Sequence, residues 1–388
     1  MMIPERPALE RRILAALDGT GTTGPRIPVL LGGCGSGRTS LLLRLRDLIG
    51  RSQSQYIDVE RIATTPERFL KSMRDASPFP AHPYGQGAAE HGARDAFDAA
   101  LAVLDTARSP GDAPATFLLD EFLELRTFES FPGLRSVLRD MFGALASSGN
   151  RFVLTTRFVA RAHRLLRDAP TNFELIHLAP LSPAEIRSTI AWPHDPHLED
   201  DDPRRDDLVR MVHALSNGRP AYARMIAEAA AGMATRGTAD PVGALASLLA
   251  QGGTLSAACR FCYELRLHRA RGYGALKAIL DVLAEEEPLT LTEIALRLRR
   301  TPGSTKDYLS WLEDVDLIVS RLKRYSFADP MLRLWVRLHC RPTLPTEEEI
   351  AREVHGYVLS HLPLQEPVLA LAGTTEEAEK SWGIIEID

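Results

Sequence analysis

The segment Pro28–Leu43, PVLLGGCGSGRTSLLL, leaves this chain few folds to choose from. Its first four residues, Pro28-Val29-Leu30-Leu31, are all apolar and read as a short strand buried on both faces. A glycine-dense turn follows, Gly32-Gly33-Cys34-Gly35-Ser36-Gly37, and Arg38-Thr39-Ser40 then opens an amphipathic helix. Strand, turn and helix in this order fit the phosphate-binding loop G-x-x-x-x-G-K-[ST], with Arg38 in place of the lysine. Glycines let backbone N–H groups converge on phosphate oxygens without Cβ clashes, and the helix start adds the positive end of its dipole. Gly32, Gly33, Cys34, Gly35, Ser36, Gly37, Arg38, Thr39 and Ser40 are therefore the expected phosphate contacts, with the Thr39 hydroxyl turned to Mg²⁺. Arginine is a planar fork where lysine is a flexible point charge, so binding through the backbone should survive while turnover should be slow.

A phosphate loop needs further groups before it can do chemistry: a carboxylate for the metal, a group to polarise water, and cations for developing charge. Thr116–Leu119 is a fully apolar strand ending in Asp120-Glu121. Asp120 is placed to hold Mg²⁺ through water together with Thr39, and Glu121 to polarise the attacking water. The next strand, Arg151–Thr156, ends in Thr155-Thr156-Arg157, a hydroxyl and a guanidinium where the γ-phosphate would lie. Gly218-Arg219-Pro220 opens a later helix, from which Arg219 could reach phosphate.

The chain has 388 residues, long for one core, so two or three domains are expected. Pro7–Asp18 has helical spacing. Gln55–Val59 is a second short strand, Phe173–Leu178 closes a strand–helix alternation, and short apolar strands alternating with helices imply a parallel sheet covered on both faces. From Ser182 to about Tyr273 the pattern is helical, interrupted by a charged connection at Asp195–Asp207. A metal site from His194, His197 and these acids is the less expected alternative to a solvated loop. From Gly274 to Arg341, three short helices precede two strand-like runs, Asp316–Ser320 and Arg324–Phe327, the pattern of a winged helix. The expected divisions are 1–25 (helix and linker), 26–181 (α/β core), 182–273 (helical lid), 274–341 (winged helix) and 342–388 (a helix and an acidic tail).

The net charge of −5 argues against a uniformly basic surface, and no apolar run approaches the roughly 20 residues that span a bilayer. Cys34, Cys259, Cys262 and Cys340 form no disulfide framework, which fits a reducing cytoplasm. Cys259-x-x-Cys262 reads as a pair of core cysteines, with zinc or redox use the less expected alternative. A helix N-terminus can depress the thiol pKa of Cys34, and a redox or alkylation switch there is the less expected alternative to an inert thiol.

Taken in order, Gly32-x4-Gly37-Arg38-Thr39, Phe117–Glu121, Phe152–Arg157, Leu178-Ala179-Pro180-Leu181-Ser182-x-x-Glu185 and Gly218-Arg219-Pro220 resemble the STAND branch of AAA+-type P-loop NTPases, especially the "archaeal ATPase" group. Tyr325–Trp335, with Asp329-Pro330 ahead of an aromatic helix, looks like that group's post-wing signature. The resemblance covers roughly Pro7 to His339. It implies an α/β P-loop NTPase sheet with helices on both faces, then a helical lid and a winged-helix domain, binding ATP or ADP with Mg²⁺. It assigns Asp120 to the Walker B strand, Thr155–Arg157 to sensor 1, and Gly218–Pro220 to a lid motif near adenine. Catalysis would then fall to Glu121, Arg38 and Arg157.

Between Leu291 and Cys340 nine Lys and Arg face six Asp and Glu. Arg321, Lys323 and Arg324 fall on the wing, where phosphate contact is natural, but Asp307, Glu313 and Asp314 on the expected recognition helix Ser304–Val315 oppose major-groove docking. The favoured expectation is a slow ATPase acting as a nucleotide-dependent switch, through a protein partner or self-association and away from membranes. A DNA-associated ATPase and a scaffold with structural nucleotide are the alternatives.

Overall fold

The structure, a computed structural model, describes residues 6–19, 24–80, 92–167, 169–170, 172–189, 203–234, 239–270 and 272–362. Ten strands occur among them in chain order. They are β1 (Ile27–Leu31), β2 (Ser54–Asp58), β3 (Arg108–Ser109), β4 (Ala113–Pro114), β5 (Thr116–Asp120), β6 (Arg151–Thr156), β7 (Phe173–His177), β8 (Leu289–Thr290), β9 (Ile318–Arg321) and β10 (Arg324–Phe327). Five of them form one parallel sheet in the order β2-β5-β6-β1-β7.

Why the strands carry apolar residues on both sides is visible in the packing. Successive residues of a strand point to opposite faces. Leu30, Leu118, Val153 and Ile176 face one way, onto Ile13 and Leu17 of the helix Pro7–Asp18 and Leu41, Leu42 and Leu45 of the helix Arg38–Ile49. Val29, Leu31, Phe117, Leu119, Phe152 and Leu154 face the other way, into a cluster that runs through the later helices to Val358. Phe117 sits at its centre, stacked on Phe152 at 5.7 Å between ring centroids and met edge-on by Phe79 at 5.3 Å.

Several expected elements lie where the sequence placed them. The helix Pro66–Asp75 starts at Thr65, whose side chain caps Arg68 N–H, with Pro66 in the first turn. The charged connection is a correction in part: Pro203–Asp207 already belongs to the helix Pro203–Ser216, whereas His194, His197 and 195–202 lie outside the described residues. Three features have no counterpart in the sequence reading: the β3–β4 hairpin, the 3₁₀ stretch Phe122–Ser130, and β8, which makes the last sheet three-stranded in the order β8-β10-β9. The helices Tyr273–Glu285, Leu291–Arg297 and Pro302–Asp314 precede β9, and Leu322 and Lys323, both at positive φ, make the tight turn into β10. The helices Pro330–His339 and Glu347–His361 follow, and the acidic tail from 363 on lies outside the described residues. No single helix among the described residues is long and apolar enough to cross a membrane.

Phe117 has no exposed surface and aromatic partners on two sides. Phe117→Ala should cost about 3–5 kcal/mol through lost contact and a cavity. A urea titration of the full chain reads this as a lower midpoint with an unchanged slope.

Candidate functional site

The parallel register brings the C-terminal ends of β1, β5 and β6 to one edge of the sheet, with Leu30 level with Thr155 and Leu119 level with Leu154. Such an edge, at a point where the strand order doubles back, is where open α/β sheets bind ligands. The turn Gly32–Gly37 leaves β1 there. Gly37 stands at φ 86°, a left-handed conformation that glycine takes without a Cβ penalty, and the helix Arg38–Ile49 starts directly after it. Thr39 and Ser40 lie in that first turn.

Arg38 folds back into the turn. Its Nη1 donates to the carbonyls of Gly32 and Gly33, the latter at 2.6 Å, and to Ser36 Oγ at 3.2 Å. Its Nη2 donates to Glu121 Oε1 at 2.5 Å, in an ion pair with both side chains buried. Glu121 also accepts from the Arg157 backbone N–H at 2.9 Å, and Arg157 Nε lies 3.1 Å from its Oε1. Arg157 reaches on to Glu60. Burial alone would raise the Glu121 pKa, but the guanidiniums of Arg38 and Arg157 outweigh it and hold the carboxyl below its ordinary value. Burial likewise pulls Arg157 down, and Glu121 and Glu60 more than restore it. The two residues expected to act separately, on water and on phosphate, thus hold each other.

Asp120 is the hub beside them. One of its carboxylate oxygens accepts from Thr39 Oγ1 at 2.6 Å and from Tyr56 OH at 2.9 Å, and the other accepts from Thr155 Oγ1. Thr155 Oγ1 in turn accepts from Glu121 N–H at 3.2 Å. Burial and the neighbouring Asp120 push the Tyr56 phenol well above its ordinary range, so it stays a donor. Among the described residues no cluster of three His, Cys, Asp or Glu side chains is arranged for a metal. The Thr39–Asp120 pair has instead the hydroxyl and carboxylate that suit a hard, largely hydrated cation such as Mg²⁺.

The turn Asn217–Pro220 lies over the phosphate loop. Gly218 has φ 64° and a Cβ there would stand 2.5 Å from Leu181 O, so only glycine fits. Arg219 Nη1 donates to Cys34 O at 2.8 Å and lies 3.1 Å from Asp329 Oδ2. Ala221 N–H donates to Gly35 O at 3.1 Å. Pro220 starts the helix Pro220–Ala234 against Gly37. Asp329 accepts from Tyr222 OH at 2.9 Å and caps Met331 N–H at 3.1 Å. A cavity of about 470 Å³ opens between Gly33, Ser36, Leu178–Pro180, Arg219, Pro220 and Phe327, within the range of small-ligand pockets.

The cysteines are a correction. Cys34 is joined to Cys262 of the helix Thr254–Arg269, their Cα atoms 6.7 Å apart, while Cys259 stays a buried free thiol and Cys340 a half-buried one. The two ends of the Cys-x-x-Cys pair are on different duties because they face different neighbours. Sequence reasoning also passed over Tyr56, Glu60 and Arg266. None carries a local motif, and each is found only by its tertiary partner.

No protein-family model matches the sequence, and no curated protein matches it. Among solved structures, a Walker-type ATPase of Pyrococcus abyssi superposes with a TM-score of 0.63 at 18% identity, covering 86% of this chain and 96% of that one. The chain thus shares the α/β fold of that Walker-type ATPase. The Aeropyrum pernix ORC1 protein in complex with DNA (TM-score 0.45, 17% identity, 92% of this chain and 94% of that one) and Thermotoga maritima RuvB (TM-score 0.40, 12% identity, 83% and 92%) match less well. At those scores they add nothing to the assignment.

Glu121 neutralises two buried guanidiniums, so Glu121→Gln should cost about 3–5 kcal/mol at neutral pH by leaving charge unpaired. Because its folded pKa is depressed, the stabilisation is present above the ordinary value of 4.5 and is lost as pH falls through the lower folded value. Denaturant midpoints measured from neutral to acidic pH should therefore fall less steeply in Glu121→Gln than in the wild type.

Proposed function

We propose that this chain is a P-loop NTPase of the AAA+ type that binds Mg-ATP at the Gly32–Ser40 loop, hydrolyses it slowly, and passes the nucleotide state to the segments that lean on the loop. The observation that carries this reading is the convergence of loop, Thr39–Asp120 pair, Glu121 and Thr155–Arg157 on one sheet edge. In it, the backbone N–H groups of Gly33–Thr39 hold the phosphates, and Ser40 and Cys34 lend their backbones. A magnesium ion, held by Thr39 and by Asp120 through water, would supply charge neutralisation on the phosphates. Glu121 orients the attacking water once it has given up Arg38, and Arg157 and Thr155 meet charge growing on the γ-phosphate. The cavity beside Pro180, Arg219 and Pro220 is wide enough for a nucleoside.

The helices between 182 and 273 then form a lid, with Gly218, Arg219 and Pro220 at its contact with the nucleotide. Residues 274–341 form a winged helix, a reading supported by three helices and a three-stranded antiparallel sheet whose first strand, β8, lies between the first two helices. Arg219 and Tyr222 on the lid side meet Asp329 on the winged-helix side, a route by which occupancy of the loop reaches a surface that a partner or second copy could read. Slow turnover follows from Arg38: the guanidinium pairs with Glu121, so each catalytic group must be released before it acts.

The scaffold reading rests on the same ion pair, since nucleotide could bind without ever freeing Glu121. Phosphate release separates the two. Arg38→Lys should raise turnover by about tenfold, a barrier change of ~1.4 kcal/mol, whereas Glu121→Gln should abolish it. Equal, negligible release by wild type and Arg38→Lys would favour the scaffold, and absence of any calorimetric heat with Mg-ATP from folded protein would sink both. DNA association is supported by the exposed turn Arg321–Arg324 alone, and salt-insensitive or undetectable duplex binding would remove it.

A further inference from the structure

From the placement of Cys34 and Cys262 we infer that this pair is a site of reversible thiol oxidation, whose disulfide clamps the phosphate loop under the helical segment and gates nucleotide exchange. The two residues are 228 positions apart in sequence, yet their Cα atoms are 6.7 Å apart, within the roughly 4.4–6.8 Å that a disulfide spans. Both side chains are partly exposed, so a small oxidant can reach them, in contrast to buried Cys259. Arg266, one turn along the helix from Cys262, places Nη2 3.5 Å from Cys34 Sγ. Arg266 is itself buried and also donates to Asp316 O at 2.6 Å, so this cation is built into the site. A guanidinium beside the sulfur favours the thiolate, the attacking form.

The reaction balances with a low-molecular-weight disulfide as oxidant. Cys34 thiolate attacks one sulfur of the reagent, forming a mixed disulfide and expelling one small thiolate. Cys262 then attacks the Cys34 sulfur and expels the second. Two protein thiols lose two electrons, the reagent gains them, and both protons leave on the small thiols. A small dithiol reverses the steps.

The bond falls where it matters for access. Arg219 and Ala221 already hold Cys34 O and Gly35 O, and Tyr222 stands against Gly35. Those hydrogen bonds can open one at a time, but a covalent link from the loop to the helix Thr254–Arg269 cannot. Oxidation therefore retards both entry and escape of nucleotide, whichever state is trapped. The gating part rests on the nucleotide reading above.

The test uses the full chain, oxidised with glutathione disulfide or reduced with dithiothreitol. Oxidation should remove two hydrogens from the intact mass and yield a Cys34–Cys262 linked peptide. Hydrogen exchange at residues 32–39 should slow, and a fluorescent ATP analogue should bind and dissociate about tenfold more slowly, as at a gated site. Reduced Cys262→Ser should bind the analogue as reduced wild type does, and glutathione disulfide should take it only to the Cys34 mixed disulfide, with no linked peptide. Failure to recover the linked peptide, or equal exchange and nucleotide rates in both forms, overturns the proposal. If exchange at 32–39 slows on oxidation but neither form binds the analogue, the clamp stands, and the nucleotide reading and its gating fall together.

Discussion

The arrangement around the loop depends on one buried carboxylate. Glu121 leaves β5 in a left-handed backbone conformation, φ 55°, which turns its side chain back toward the ends of β1 and β6. There it meets Arg38 from the loop and Arg157 just past β6, so three strand ends are tied through a single charge. After it the chain enters the 3₁₀ stretch, whose Phe122, Leu123, Leu125 and Phe128 are buried in the main core. Charges so placed are costly to desolvate, and each tolerates burial only because the others are present. The pair is thus a poor source of net stability and an effective determinant of where the loop sits.

Asp120, one residue earlier, shows the complementary solution. Among the described residues it pairs with no cation and is satisfied by hydroxyls from three elements, Thr39, Tyr56 and Thr155. Two adjacent acids therefore have different partners, since Asp120 ends the extended strand while Glu121 follows it at φ 55°. That division keeps an oxygen-rich pocket beside a guanidinium-rich one, the separation that a hydrated cation and a phosphate require.

Much of this was legible in the chain. The helix Pro7–Asp18 matches its expected bounds, and the strands ending at Leu31, Asp120 and Thr156 follow from all-apolar runs closed by polar residues. The loop, Asp120-Glu121, Thr155–Arg157 and Gly218–Pro220 all carry local patterns, and the structure brings them together. What escaped has no local pattern. Tyr56 and Glu60 enter the site from β2 and the short helix after it because β2 lies in register with β5, Asp58 opposite Asp120. β8 is two residues long and is a strand only because β10 pairs with it. Cys262 was read with its neighbour Cys259, although helix geometry turns one sulfur into the core and the other toward a loop far away in sequence.

The contacts on the loop are also of a kind that can be exchanged. Arg38 with Glu121, and Arg219 with Cys34 O and Asp329, are charge-assisted, each worth about 1.5–3 kcal/mol. A phosphate group offers the same guanidiniums bonds of the same class, so moving Arg38 or Arg219 from an internal partner to a ligand changes the total little. Near-equality of this sort is what a two-state element needs, because a small difference in affinity then shifts the population. Under the proposed nucleotide reading, Asp329 gives the shift somewhere to go. Without Arg219 it keeps Tyr222 OH and the Met331 N–H cap, so the helix Pro330–His339 stays formed while its tie to the loop is released.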